Sequence, residues 1–318
     1  MSTNVTQIDS FAIDRVYQPL VVKSSTIDIV SNSNFTNNGN STLTAGGAIS
    51  MSDSKISIIN SKFINNTAIS GGAISFECTS LDSCNLNIST TTLSSNRATS
   101  QGGAIYYNYN RPTIINATFT NNTASYGPDF ASYAVSIIMN NNISTKMVIN
   151  NMVSGVQSDQ DVKLSAIDFD NQTMLLNNFN QIIINPVNKT AATMKGTNSG
   201  LLRNGVATFS NLIVNTKPGS TNMQFQATTS AIDSIKVKEV YGSVSSNLIS
   251  ANFRFCKPGE IQLSDKTCST RAPGTYSLDW NSTECYPCPS SSQCLGGNQI
   301  YVDAGYWRMS QNTSTIVE

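Results

Sequence analysis

Cysteine is the residue type whose spacing most directly predicts chemistry in this chain. Cys78 and Cys84 lie close together, and the other five of the seven cysteines fall between Cys256 and Cys294, in a stretch rich in Pro and Gly. Such density in a segment too small for a core of its own favours disulfide bonds, and disulfides indicate an oxidising compartment. A zinc site that uses the Cys-x-x-Cys pair of that stretch is the alternative, but no second pair stands at a suitable spacing.

Histidine is absent from the sequence. Its absence removes the commonest metal ligand, the commonest general base and every Ser-His or Cys-His nucleophile pair. Asp168 and Asp170, in "DFDNQ", offer oxygen ligands for calcium. A turn closed by an Asp or Asn side chain is the favoured interpretation, because no third and fourth acidic ligand follows at fixed spacing.

Composition argues against two classes of partner. Lys and Arg together number 19, as do Asp and Glu, and charged residues make up 12% of the chain. The basic stripe that nucleic acids or anionic membranes require is therefore not expected. No apolar run is long enough to span a bilayer, and "MSTNVTQIDS" lacks the pattern of a signal peptide. Because other features described below point outside the cell, we expect a fragment, or a gene model with a false start and stop.

A repeated motif dominates the first half of the chain. Gly-Gly-Ala-Ile begins at Gly46, Gly71 and Gly102, and a degenerate copy, "GPDF", begins at Gly127. A Phe-x-x-Asn element recurs in step, with Leu once in place of Phe, and a β-branched residue precedes each copy. The pairs are Phe35/Asn38, Phe63/Asn66, Leu93/Asn96 and Phe119/Asn122, preceded by Val30, Ile58, Ile88 and Ile114. A fixed repeat of this length indicates stacked supersecondary units.

Short alternating runs such as "KISII" read as strands, so the units predict a right-handed parallel β-helix. Each coil would lie about 4.8 Å above the last, which is the spacing of hydrogen-bonded strands. Gly-Gly would allow a corner with positive φ and a close approach of two backbones. The Phe and Leu residues would form an inner column, and the Asn residues a ladder of amide side chains bonded along the stack.

Gly-Gly-Ala-Ile paired with Phe-x-x-Asn resembles the polymorphic outer-membrane protein repeat of bacterial autotransporter adhesins, which also occurs in large surface proteins of protists. The resemblance covers roughly residues 25 to 130. It implies an elongated, extracellular, adhesin-like β-helix, and it implies no catalytic residue.

Cys78 and Cys84 bracket the one insertion in this repeat. A short excursion from a corner of the coil must return to the place where it started. The two Cα atoms should therefore lie within the roughly 4.4 to 6.8 Å that a disulfide needs. Two free thiols are the alternative.

Short strand signals separated by turn signals follow the repeat. They are "VKLSAIDF", "QIIIN", "GVATFSNLIV", "MQFQATT", "SIKVKEV" and "LISANFRF". This spacing is typical of a β-sandwich. The stretch "NGVATFSNLIVNTKPGSTNMQF" resembles the later strands of an immunoglobulin-like module in surface proteins.

The C-terminal stretch has a resemblance of its own. "PGTYSL" and "CYPCP" resemble the cysteine-rich repeat of ephrin-receptor and growth-factor-receptor ectodomains, and "GGNQIYVDAGYWR" is similar to the form in large ciliate membrane proteins. That pattern usually has a second Cys where Arg271 stands here, so five cysteines cannot all pair and the partner of Cys285 stays open. The predicted disulfide cysteines of this stretch are Cys256, Cys268, Cys288 and Cys294.

The sequence thus predicts an all-β chain in three parts. Residues 1–152 form parallel β-helix repeats, residues 153–254 an immunoglobulin-like β-sandwich, and residues 255–318 a small disulfide-rich, receptor-like module. Sequons for N-glycosylation occur throughout, and we expect modification if the chain is extracellular. The expected sites are Asn34, Asn65, Asn87, Asn116, Asn121, Asn171 and Asn281.

These features predict a non-catalytic stalk or adhesion-type ectodomain of a cell-surface membrane protein. Its candidate partners are a surface protein or a glycan; no cofactor or nucleic acid is expected, and membrane contact is expected only through segments outside this chain. The alternative is a polysaccharide lyase or hydrolase, because parallel β-helices of the pectin-lyase-like fold host such enzymes, which need clustered carboxylates or calcium. The acidic residues of the repeat stand at unlike positions in their units: Asp28, Asp53, Asp82 and Asp129.

Overall fold

The computed structural model of the chain describes residues 4–17, 20–82, 84–108, 110–142, 147–243 and 247–318. For residues 4–6, 28 and 29 it describes the backbone alone, so the side chain of Asp28 lies outside the described residues. Strands make up the regular structure of these residues apart from a single α-helix.

The first part of the chain is a parallel β-solenoid with three faces, each a sheet of five stacked strands. The first face contains Asn4–Asp9, Thr26–Ser31, Lys55–Ile59, Asn85–Ser89 and Thr113–Ile115. The second contains Ala12–Asp14, Asn34–Thr36, Lys62–Ile64, Thr92–Ser94 and Thr118–Thr120. The third contains Leu20–Lys23, Ile49–Ser52, Ile74–Glu77, Ile105–Tyr107 and Phe130–Ala131. Outside these three faces, Thr67–Ser70 pairs with Arg97–Gln101 in a separate two-stranded sheet. The predicted β-helix is confirmed as a parallel solenoid, and its handedness stays a prediction.

The residues that recur in the sequence stack on their own copies. Phe63 pairs in register with Phe35 on one side and Leu93 on the other, and all three are fully buried. The rings of Phe35 and Phe63 are parallel, with centroids 4.7 Å apart, which matches the spacing of neighbouring strands. Phe119, at the end of this column, is half-buried. A second inward column is made of Val30, Ile58, Ile88 and Ile114.

The two glycines of each Gly-Gly-Ala-Ile motif are required for different structural reasons. Gly71 has a φ of 64°, in the left-handed region that favours glycine. Gly72 lies outside that region, but a Cβ atom there would stand 2.1 Å from the carbonyl oxygen of Gly103 in the next coil. The motif therefore forms a corner where neighbouring backbones approach too closely to admit a side chain.

Two sheets that share one buried apolar core follow the solenoid. The three-stranded antiparallel sheet contains Ala134–Met139, Val162–Asp168 and Val206–Phe209. The five-stranded sheet contains, in spatial order, Met147–Met152, Leu248–Phe253, Met223–Thr229, Gln181–Pro186 and Ser199–Leu201. Ala192–Met194 and Val214–Thr216 form a separate pair. The immunoglobulin-like assignment stays a prediction.

This second unit begins earlier in the chain than expected. Ala134–Met139 and Met147–Met152, which the boundary at residue 152 assigned to the β-helix, pair instead with Val162–Asp168 and Leu248–Phe253. Their inward apolar residues are buried in the core of the second unit. Strand pairing with distant segments, rather than the local pattern, therefore decides where the solenoid ends.

The segment "SIKVKEV", predicted as a strand, forms the α-helix Ser234–Tyr241. Asp233 caps its first turn, because the Asp233 carboxylate accepts hydrogen bonds from the backbone N–H groups of Ile235 and Lys236. Gly242 ends the helix in the left-handed conformation. These two capping signals outweigh the alternating apolar pattern that suggested a strand.

The last part of the chain is a series of two-stranded antiparallel hairpins. Their strands are Glu260–Gln262 with Cys268–Thr270, Thr275–Tyr276 with Tyr286–Pro287, Ser292–Cys294 with Ile300–Val302, and Trp307–Arg308 with Ile316–Val317. Disulfides join Cys256 to Cys268 and Cys288 to Cys294. They compensate for a small apolar cluster. The likeness to receptor-type cysteine-rich repeats stays a prediction.

Candidate functional site

A ladder of buried asparagines runs through the solenoid. The Nδ2 atoms of Asn38, Asn66 and Asn96 each donate to the Oδ1 atom of the next Asn, at 3.0, 2.9 and 3.0 Å, and the ladder ends at Asn122. Asn66 also accepts a hydrogen bond from the backbone N–H of Asn38 and donates one to the carbonyl oxygen of Phe35, both at 3.0 Å. All four hydrogen-bonding positions of the Asn66 amide are thus used between coils, as the predicted ladder requires.

A second ladder, made of hydroxyl groups, was not predicted. The backbone N–H of Ser33 donates to Oγ of Ser61 at 3.1 Å, and that of Ser61 donates to Oγ1 of Thr91 at 3.3 Å. The signal was present, since each of these residues stands two positions before the Phe or Leu of its unit. Ala117 occupies that position in the last coil, so the hydroxyl ladder stops there.

The insertion between Cys78 and Cys84 is a loop closed at both ends. The two cysteines are joined, with their Cα atoms 5.9 Å apart. Asn108, in the next coil, accepts from the backbone N–H of Cys78 at 2.7 Å and donates to its carbonyl oxygen at 3.1 Å. Asn110 donates to the carbonyl oxygens of Leu81 and Cys84, both at 3.0 Å. Two asparagines that the sequence did not single out therefore hold the loop against the following coil.

We expect non-reducing peptide mapping to find Cys78 linked to Cys84 in protein from an oxidising compartment. Replacing both by Ser should lower the free energy of unfolding by about 2 kcal/mol, because closing so short a loop removes little chain entropy. Finding both cysteines alkylated without reductant would contradict the bond.

Asp168 links the second unit to the solenoid. It is fully buried, and its Oδ1 atom accepts the backbone N–H groups of Asp170 and Gln172 at 2.9 and 2.8 Å. Its Oδ2 atom accepts the hydroxyl of Tyr126, in the solenoid, and Nε2 of Gln172 at 3.2 Å. The first pair of bonds forms the turn favoured for "DFDNQ". Together the four bonds use the lone pairs that a calcium ion would need.

Asp170 makes a second link to the solenoid. It accepts the hydroxyl of the fully buried Tyr107 at 2.6 Å, and its Oδ1 atom accepts the guanidinium of Arg111 at 2.8 and 2.7 Å. The same guanidinium lies 5.7 Å from the ring centroid of Phe130. One loop of the second unit thus carries two carboxylates that engage two tyrosines and an arginine of the solenoid.

Burial shapes the electrostatics of this junction. It raises the pKa of the Asp168 carboxyl, and hydrogen bonds from Tyr126 and from the backbone of Gln172 offset part of the rise. Burial also raises the pKa of the Tyr107 and Tyr126 hydroxyls, and the neighbouring carboxylates add to that effect. Both tyrosines therefore remain protonated donors at physiological pH.

The wild type should have a higher free energy of unfolding than Asp168→Asn at low pH, and this difference should shrink as the pH rises. Because the folded pKa of Asp168 is raised, the unfolded chain releases this proton first, near the ordinary value of 3.8. The stability that protonated Asp168 contributes is fully present below pH 3.8 and is lost as the pH rises through the pKa that Asp168 has in the folded chain. Urea unfolding of both proteins from about pH 3 to pH 8 measures the difference. A difference that does not change with pH would contradict the raised pKa.

The predicted glycosylation sites differ in accessibility. The exposed ones are Asn34, Asn65, Asn116, Asn121 and Asn171. Asn87 and Asn281 are half-buried, and the Oδ1 atom of Asn281 is enclosed. The first five are therefore the better acceptors for a transferred oligosaccharide.

The Cys-x-x-Cys pair of the last part does not form a metal site. Cys288 is bonded to Cys294, while Cys285 is the free cysteine of the described residues. Among those residues, one group has the spacing to hold a metal ion: Cys256, Glu260 and Cys268. Its two cysteines form a disulfide, so their sulfur atoms are not thiolate ligands.

The described acidic residues that the sequence analysis singled out in the solenoid, Asp53, Asp82 and Asp129, have different surroundings. Asp53 accepts the N–H and hydroxyl of Thr79 at 2.7 and 2.8 Å, and Asp129 accepts Nδ2 of Asn122 at 2.9 Å. Asp82 lines a cavity of about 480 Å³ beside the insertion loop, and the described lining holds no second carboxylate. None of these contacts brings two of the three carboxylates together, as the pair of a glycoside hydrolase would require.

The family model of the Chlamydia polymorphic membrane protein repeat matches residues 90–108. This segment contains Leu93 and Asn96 and the Gly-Gly-Ala-Ile motif at Gly102, so the match falls on residues that build one coil. No curated protein and no solved structure matches the chain. The matched repeat comes from a family of membrane proteins, which is consistent with a location at the cell surface. Within the described ranges, no helix has the length and apolarity needed to cross a bilayer.

Proposed function

We propose that this chain is a non-catalytic, extracellular stalk or adhesion segment of a cell-surface membrane protein. Its ligand is a glycan or another surface protein. One observation carries the proposal: the matched membrane-protein repeat coincides with the residues whose ladders and columns hold the coils together. The sequence feature that suggests a surface protein is thus also the feature that makes a stack of coils.

The stack suits the role of a spacer. Each coil is bonded to the next through three parallel sheets, through the Asn amides and through apolar columns. Bending the stack would require these bonds to open on one side, and buried polar groups are costly to leave unpaired. A stiff segment of this kind can hold a binding surface away from a membrane.

The enzymatic alternative has less support. A lyase or hydrolase of polysaccharides needs carboxylates with free lone pairs that converge on a substrate. Among the described carboxylates, Asp168 is the one whose pKa is raised, and it is enclosed and accepts four hydrogen bonds. A perturbed pKa here is better explained by a structural role at the junction.

Attachment of coated beads tests the proposal. Beads that carry the purified chain should adhere to cells or to a glycan array, and the soluble chain should block adhesion by competition. Beads coated with an unrelated glycoprotein are the control. Two outcomes would contradict the proposal: no attachment above that control, or release of reducing or unsaturated sugars from polysaccharides by the chain.

A further inference from the structure

The last coil of the solenoid has an unpaired edge on two faces. Thr113–Ile115 and Thr118–Thr120 are the final strands of their sheets and pair only with the preceding coil. Ile114 and Phe119, whose counterparts one coil earlier are fully buried, are half-buried here, and Ile115 is 56% exposed. Among the described residues no further strand pairs with these two edges, although Phe130 packs on Phe119, and Phe169 and Val240 of the second unit pack against the solenoid core.

This edge has the composition of a strand that pairs with other chains. From Thr113 to Asn121 the sequence is "TIINATFTN", which contains no charged residue and no Pro. Natural proteins protect exposed edges with charge, Pro, bulges or a covering segment. Short, uncharged segments of high β-propensity that lack such protection are aggregation sites. Arg111 and Pro112 stand directly before this edge, whereas Thr113 to Asn121 supplies no such protection of its own.

Two sequons lie directly on the edge. Asn116 and Asn121 each follow one of the two strands, both are exposed, and their φ angles are 52° and 54°. In an interior coil the equivalent residues, Asn60 and Asn65, donate their Nδ2 groups to the coil below at 2.7 and 3.3 Å. For Asn116 and Asn121 no side-chain hydrogen bond is present among the described residues, so both amides are free for modification.

We propose that N-linked glycans on Asn116 and Asn121 cover this edge and keep the solenoid from pairing with other chains. The inference rests on the extracellular role proposed above. Transfer joins Nδ2 of each Asn to the first sugar of an oligosaccharide held on a lipid diphosphate; the lipid diphosphate leaves and the amide loses one proton. Each glycan is bulky and hydrophilic, and its attachment point is an exposed Asn directly after one of the two edge strands, so its volume would crowd an incoming strand.

The bare edge predicts a specific kind of assembly. Its strands present unpaired backbone groups in the geometry of a parallel sheet, so a strand of a second copy can add to them. Such a contact joins two different surfaces of the molecule, and contacts of this kind form open chains when they do not close into a ring. Loss of the glycans should therefore produce oligomers of increasing size.

The test removes the sequons and keeps the asparagines. Thr118→Val with Thr123→Val abolishes both sites, and both threonines are exposed. Thr118→Ser with Thr123→Ser keeps the sites. Thr67→Val removes the sequon of Asn65, which lies on an interior coil whose strands are paired on both sides. All variants are produced in a secretory eukaryotic host, and their masses are measured by light scattering.

Wild type, the Ser variant and Thr67→Val should be monomers, and the double Val variant should have about twice the mass or more. Wild-type chain made with lipid-linked oligosaccharide synthesis inhibited should associate in the same way, which separates glycan loss from any effect of valine. A bare chain that stays monomeric overturns the inference. The inference is also overturned if Asn116 and Asn121 are unmodified while the other exposed sequons carry glycans. That result would leave the proposed extracellular role intact. A secreted chain with no glycan on any sequon counts against both.

Discussion

Replacing Phe63 by Ala should lower the free energy of unfolding by about 3 to 5 kcal/mol. The ring is fully buried, stacks on Phe35 at 4.7 Å and pairs in register with Leu93. The coils on either side are fixed by backbone hydrogen bonds, so they cannot collapse into the space that the ring leaves. Urea unfolding followed by circular dichroism measures the change.

Phe119→Ala is the matched control. Phe119 belongs to the same column but lies in the last coil, where it is half-buried. Its removal forfeits less apolar burial and leaves no enclosed cavity, so the loss should be clearly smaller than for Phe63→Ala. Equal losses, or a larger loss at Phe119, would contradict the position of Phe63 inside the stack.

Asn66→Ala should destabilise the chain by about 4 kcal/mol, although it removes few atoms. Asn66 is fully buried. Its side-chain oxygen accepts hydrogen bonds from the backbone N–H and Nδ2 of Asn38, and its Nδ2 donates to the carbonyl oxygen of Phe35 and to Oδ1 of Asn96. Each buried group that loses its partner costs about 1 to 3 kcal/mol. The same unfolding measurement applies.

The neighbouring residue provides the comparison. Asn65 is exposed and has a φ of 59°, so Asn65→Gly keeps the backbone conformation and removes one long hydrogen bond at the surface. We expect a change of less than about 1 kcal/mol. If Asn65→Gly proves as costly as Asn66→Ala, the buried ladder is not what holds the coils in register.

The solenoid could be predicted from the sequence because every coil makes the same packing and hydrogen-bonding contacts as the coil before it. Each inward position must match its copy one coil away, so Phe35, Phe63 and Leu93 recur at the same place in their units. The same holds for the Asn ladder and for the Gly corners. The hydroxyl ladder has no clear sequence signal, because Ser and Thr are common throughout the chain and residues such as Ser33 and Ser61 do not stand out.

The junction could not be predicted, because its contacts occur once. Tyr126 and Asp168 belong to different units, and no repeat or motif signals that they meet. The boundary near residue 152 was misplaced for a related reason: Ala134–Met139 looks like one more alternating strand until it pairs with Val162–Asp168. Long-range pairing of this kind is decided by the tertiary structure, whereas the sequence pattern reports the local period.

The cell-surface role is tested most directly by labelling intact cells that make the full-length protein with an amine reagent that does not cross membranes. Lys55 and Lys62 are exposed on the first and second faces of the solenoid and serve as the reporters. Peptide mass spectrometry should find both modified to the same extent in intact cells as in lysed cells. Modification that appears only after lysis would contradict the account.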